Sequence, residues 1–143
     1  MTIIFLVTFI GLMGFGIILP LFPFYAERMG ASPELITLTM AAFSLGQFVA
    51  APLWGRLSDS IGRKPVLILT LLGSSLSYVI LAYAPNLTVV ILSRILSGLM
   101  AGNVSIAFAY VTDITDDNNR AAGLGKVSAA LGLGFMTGPA IGG

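Results

Sequence analysis

Charge is so sparse along this chain that the uncharged runs between ionisable residues decide what it can fold into. Seven Lys and Arg with six Asp and Glu leave five long runs without charge: 1–26, 35–55, 65–93, 95–112 and 127–143. A helix needs about 20 apolar residues to cross a hydrocarbon core about 30 Å thick. The 65–93 run exceeds one span, and Ala84-Pro85-Asn86 interrupts it with a turn signal. The expected organisation is all-α and transmembrane. Five membrane-spanning helices are placed at about 1–22, 35–57, 65–83, 87–111 and 121–143, with Arg94 inside the fourth.

Composition excludes the main alternatives. Only 9% of residues are charged and 57% are hydrophobic, whereas soluble domains carry about 25% charged residues to cover their surface. A net charge of +1 provides no basic patch for nucleic acid. With no Cys and no His, disulfides, thiolate or imidazole metal sites and Ser/His or Cys/His nucleophilic pairs are excluded. No pair of intramembrane acids is present, so an enzyme, a metal site and a cofactor are not expected. A signal peptide at the start is disfavoured: there is no basic leader, and the run enters Pro20-Leu21-Phe22-Pro23 rather than a small-residue cleavage site.

The basic residues orient the spans. Arg56, Arg63 and Lys64 in the second loop and Arg120 and Lys126 in the fourth face only Arg28 in the first. By the positive-inside rule, loops two and four and the N-terminus are cytoplasmic. Asn86-Leu87-Thr88 forms a sequon almost at the membrane surface. A shift of 87 positions superposes Phe48, Pro52 and Gly55 on Phe135, Pro139 and Gly142. That pairs span two with span five and implies a three-helix repeat, as in secondary transporters. On this pattern a sixth helix follows Gly143, and the chain is expected to be a fragment lacking it.

Three local patterns carry chemistry. In 55–65, Gly55 and Asp59 share a helix face if the helix continues, Gly62 suits a reversal with φ > 0, and Pro65 suits the opening turn of the next helix. A plain cytoplasmic turn with positive-inside residues is an equally admissible reading. Arg94 is the one charge within a span, and its cost in lipid marks a functional site facing a cavity or polar partner. It could instead snorkel to the outer interface. Gly98 and Gly102 follow on its face with Asn103 beside them, which would make that face smooth, polar-lined and able to pack a helix closely. Gly134, Gly138 and Gly142 form a small-residue stripe and Pro139 permits a bend, so a close helix interface is expected there. Asp113 closes span four on the side of Arg63, where the two could pair.

Together these residues resemble the major facilitator superfamily, and within it the drug:proton antiporters. The family's loop signature G-x-L-x-D-x-x-G-R-[RK] is matched by Gly55, Leu57, Asp59, Gly62, Arg63 and Lys64. Its R-x-x-x-G signature is matched by Arg94 and Gly98, and its antiporter signature G-x-x-x-G-P-x-x-G-G by Gly134, Gly138, Pro139, Gly142 and Gly143. Gly14, Gly16, Pro20 and Pro23 fit the first-helix pattern, and Asp113-Ile114-Thr115-Asp116 looks like the matching stretch of tetracycline and multidrug exporters.

The resemblance implies an incomplete N-terminal six-helix bundle of a twelve-helix, proton-driven exporter of small amphipathic compounds. Its partners would be the lipid bilayer, protons and the missing C-terminal half, and its location a bacterial cytoplasmic membrane. Asp59 would hold the cytoplasmic side closed, Arg63 and Asp113 would form a charge relay, and Arg94 would take part in proton coupling. Helices one and four would face the cavity with Arg94 and Asn103, and Gly138-Pro139 would form a bending seam against the other half. Ser60 stands where the motif usually has a basic residue. Gly11 stands where some tetracycline exporters carry an acid. A sugar or organic-acid transporter of the same superfamily, or a non-transporting membrane segment, is the alternative.

Overall fold

The computed structural model describes residues 1–142. Its helices are α1 (Thr2–Arg28), α2 (Pro33–Ile61), α3 (Arg63–Ala82), α4 (Leu87–Leu99), α5 (Asn103–Ile114) and α6 (Asp117–Gly142). Five stretches are long and apolar enough to span a bilayer, with α4 and α5 together making the fourth, Leu87–Ile114.

Local chemistry explains most of the boundaries. Ser32 caps α2 by accepting from the Leu35 N–H at 3.3 Å, and Pro33 occupies the first turn, where its missing donor costs nothing. Asn86 caps α4 by accepting from the Val89 N–H at 3.0 Å, so the sequon's side chain is engaged in the cap. Between α2 and α3, Gly62 turns the chain at φ 100°, a conformation that side chains with a Cβ rarely adopt.

The helices run further than the expected spans. α1 continues through Pro20 and Pro23 to Arg28 rather than stopping near residue 22. Prolines are tolerated inside membrane helices because neighbouring groups satisfy the freed carbonyls. α6 begins at Asp117, its polar first turn joined by an Asp117–Arg120 ion pair of 2.8 Å. The largest departure is in the fourth span, which is two helices separated by Met100–Gly102 rather than one.

The chain forms two compact units: Met1–Phe22 with the chain from Asn103 onward, and Pro23–Gly102. In the first, Ile4, Ala107, Val111 and Val127 form a buried core joined by Phe108, Tyr110 and Leu124. Here α6 lies against α1 along its glycines: a Cβ at Gly134 would stand 2.6 Å from the Phe9 carbonyl oxygen, and one at Gly138 would stand 2.6 Å from the Gly16 Cα. In the second unit, α2 packs on α4 at two glycines. A Cβ at Gly46 would stand 3.3 Å from the Leu99 nitrogen, and one at Gly98 would stand 3.0 Å from the Phe43 Cα. Without a hydrophobic driving force in lipid, such backbone approach supplies dispersion contact.

Candidate functional site

The 55–65 segment joins the last turn of α2 to the first residue of α3. Arg63 Nη1 contacts Asp59 Oδ1 at 2.6 Å and donates to Ser58 Oγ at 2.6 Å. Ser58, almost fully buried, donates in turn to the Gly55 carbonyl at 2.7 Å. The guanidinium that opens α3 is thereby tied to α2 through a carboxylate and a hydroxyl. Asp59 is largely exposed, so its ion pair is worth little in isolation. The buried Ser58 link restricts Arg63 more strongly. Its hydroxyl was not singled out in the sequence, because the motif leaves that position unspecified.

Gly55 does not serve close packing: a Cβ there would meet nothing within 4 Å. Leu57 and Lys64 are exposed. Replacing Ser58 by alanine should loosen the hold on Arg63 and lower stability by about 1 kcal/mol, the net worth of one such hydrogen bond. Thermal unfolding in lipid nanodiscs and increased reactivity of Arg63 towards an arginine-selective dicarbonyl would register the change.

Arg94 is 4% exposed, with its guanidinium carbon 5.9 Å from the centroid of the Phe43 ring. A head group extended to the outer interface would be exposed, so the snorkelling alternative does not describe this side chain. The distance suits a cation–π contact. Ser93 and Ser97 beside it on α4, and Thr70 and Ser77 on α3, are also buried. These hydroxyls find backbone acceptors, such as Ser93 to the Val90 carbonyl at 2.7 Å and Ser77 to the Gly73 carbonyl at 2.8 Å. Buried hydroxyls on both α3 and α4 are thus satisfied by their own backbone.

The glycines following Arg94 meet α2. Gly98 is covered by Phe43, and a Cβ at Gly102 would stand 2.7 Å from Trp54 Cδ1. Both are packing positions filled by α2. Phe43 and Trp54 escaped the sequence reading because aromatic residues in apolar spans are too common to stand out. Asn103 is half-buried, and its Oδ1 accepts from the Val104 N–H at 3.0 Å at the start of α5. Asp113 is exposed in the last turn of α5.

The stripe on α6 also finds a partner within the chain. Gly134 and Gly138 are buried against α1, a Cβ at Gly142 would stand 2.9 Å from the Ile17 carbonyl oxygen, and Pro139 Cδ lies 3.3 Å from the Cβ position of Gly16. The face expected to meet the other half of a transporter is therefore occupied by α1. Gly143, the last residue of that signature, lies outside the described residues.

Known proteins place these features in context. The sequence profile of the Major Facilitator Superfamily matches residues 4–143. The chain is 37% identical over 133 residues to the class C tetracycline resistance protein of Escherichia coli, an alignment covering 91% of this chain and 34% of that protein. It is 38% identical over 136 residues to Multidrug resistance protein 2 of Bacillus subtilis, covering 94% and 34% respectively. Among solved structures, the human organic anion transporter MFSD10 (TETRAN) superposes with a TM-score of 0.88 at 31% identity, over 99% of this chain and 40% of that one. The chain thus spans roughly a third of the length of the curated relatives it matches.

Proposed function

Because the chain belongs to the major facilitator superfamily, we propose that it supplies the N-terminal helices of a proton-coupled exporter of small amphipathic compounds working by alternating access. The observation that carries this reading is its likeness, over nine tenths or more of the chain, to proteins named for tetracycline and multidrug resistance. The protein acts as a transporter rather than an enzyme, in a bacterial cytoplasmic membrane with its N-terminus inside. A C-terminal half completes the transport path.

In this reading the turn at 55–65 gates the cytoplasmic side. Asp59 and Arg63 hold one another across it, and Arg63 exchanges this partner for Asp113 as the gate cycles. Arg94 senses the protonation state of the transport path through its buried charge, and Asn103 contributes a polar group to the cavity. The α1–α6 glycine seam lets two helices slide or bend without leaving a gap.

The reading is tested by dye and tetracycline accumulation in everted membrane vesicles containing the full-length protein encoded with this chain. Accumulation against a gradient is expected, and Asp59→Asn should reduce its rate at least about tenfold, corresponding to roughly 1.4 kcal/mol on the rate-limiting step. Wild-type rates in Asp59→Asn would remove the gate assignment. Transport of organic anions with no effect on dyes would favour the organic-acid alternative, and no flux at all would favour a non-transporting segment.

A further inference from the structure

The fourth span breaks midway along Leu87–Ile114, at Met100–Gly102. Its sequence there, Leu99-Met100-Ala101-Gly102-Asn103, contains no proline, and a single glycine does not by itself end a helix. In a continuous helix the Leu99 carbonyl would accept from the Asn103 N–H and the Met100 carbonyl from the Val104 N–H. Side chains reach both carbonyls, and the Met100 carbonyl also accepts from the Gly102 N–H at 2.9 Å. Trp54 Nε1 donates to the Leu99 carbonyl at 2.6 Å, Ser74 Oγ donates to the Met100 carbonyl at 3.4 Å, and Asn103 Oδ1 takes the Val104 N–H at 3.0 Å.

Both edges of the break therefore have hydrogen-bond partners for their backbone groups. Two glycines make room for the arrangement. Gly102 lies beneath the Trp54 ring, and a Cβ at Gly73 would stand 2.6 Å from Met100 Cγ. Polar groups, indole and glycines come from α2, α3 and the α4–α5 connection, so the discontinuity is held by several separate segments.

We infer that Trp54 is a positioning residue whose indole N–H, assisted by the Ser74 hydroxyl, holds the fourth span open by occupying carbonyls that would otherwise re-form the helix. Its consequence for transport rests on the exporter reading. With the break closed, turnover would fall while substrate affinity stayed the same.

Trp54→Phe removes the donor and keeps most of the ring. Amide hydrogen exchange, read by NMR on the full-length protein in nanodiscs, should show the Asn103 amide exchanging about tenfold more slowly as it captures the Leu99 carbonyl. Gly102→Ala, which forces the indole aside, should slow the same amide and guards against Trp54→Phe failing to fold. Unchanged or faster exchange at Asn103 in both variants would overturn the inference, because a space-filling tryptophan predicts one or the other. In vesicles, Trp54→Phe should lower turnover several-fold at unchanged KM. If the wild-type protein moves no substrate, the exporter reading fails while the exchange measurement still decides the role of Trp54.

Discussion

Gly138→Leu is expected to separate α6 from α1 and to leave little folded protein in the membrane. A Cβ at this position would stand 2.6 Å from the Gly16 Cα, 2.7 Å from the Gly16 carbonyl carbon and 2.9 Å from the Ile17 nitrogen. These are backbone atoms in a helix, so no side-chain rotation relieves the clash. Overpacking commonly costs 1–3 kcal/mol, and backbone on both sides of the contact places this case at about 3 kcal/mol or more. Gly132→Leu is the matched control, since its Cβ would meet nothing within 4 Å on the same helix. Thermal unfolding of the two variants in nanodiscs should show a large loss for Gly138→Leu and almost none for Gly132→Leu. Equal behaviour would mean that the seam is not a close contact.

Arg94→Ala should have the largest effect on activity. The side chain is buried, and its guanidinium lies over Phe43 rather than in solvent. Deleting the guanidinium removes a desolvated cation–π contact worth roughly 2 kcal/mol, which corresponds to about a thirtyfold loss of export if that contact is made in the rate-limiting state. Arg94→Lys keeps the charge but loses the planar guanidinium that stacks on an aromatic ring, so export should recover only in part. Initial rates of dye export, normalised to the amount of protein in the membrane, distinguish the cases. Wild-type export by Arg94→Ala would show that the buried cation has no part in the transport cycle.

Much of this architecture was legible because its causes are local. The number of spans followed from where charges fall, and the turn at 55–65 followed from a glycine at position 62 with a proline at position 65. The features that were not legible have causes far away in sequence. The break at Met100–Gly102 is capped by Trp54 and Ser74, neither of which is distinguishable in the sequence from other residues of an apolar span. Gly98 and Gly102 were legible as a smooth face able to pack a helix closely, but which neighbour fills it is set by residues far away in sequence. Here Phe43 and Trp54 fill the space.

The same reasoning separates the two readings of Arg94. Spacing along α4 gave its distance from the outer end of the span, which is compatible with either snorkelling or burial. Its exposure distinguishes them. For the stripe at Gly134, Gly138 and Gly142, periodicity identified an interface but not its partner, because a row of small residues offers the same surface to any helix. The α1 backbone at Phe9, Gly16 and Ile17 occupies it.

Proton coupling is the central claim, and the most direct test is the pH gradient itself. Everted vesicles carrying the full-length protein would be energised to an acidic interior, and the gradient followed with a pH-sensitive dye while tetracycline or a cationic dye is added. The account predicts that substrate dissipates the gradient as protons leave in exchange, and that Arg94→Ala abolishes this response. Substrate accumulation that leaves the gradient untouched, or that persists after a protonophore has collapsed it, would contradict the account.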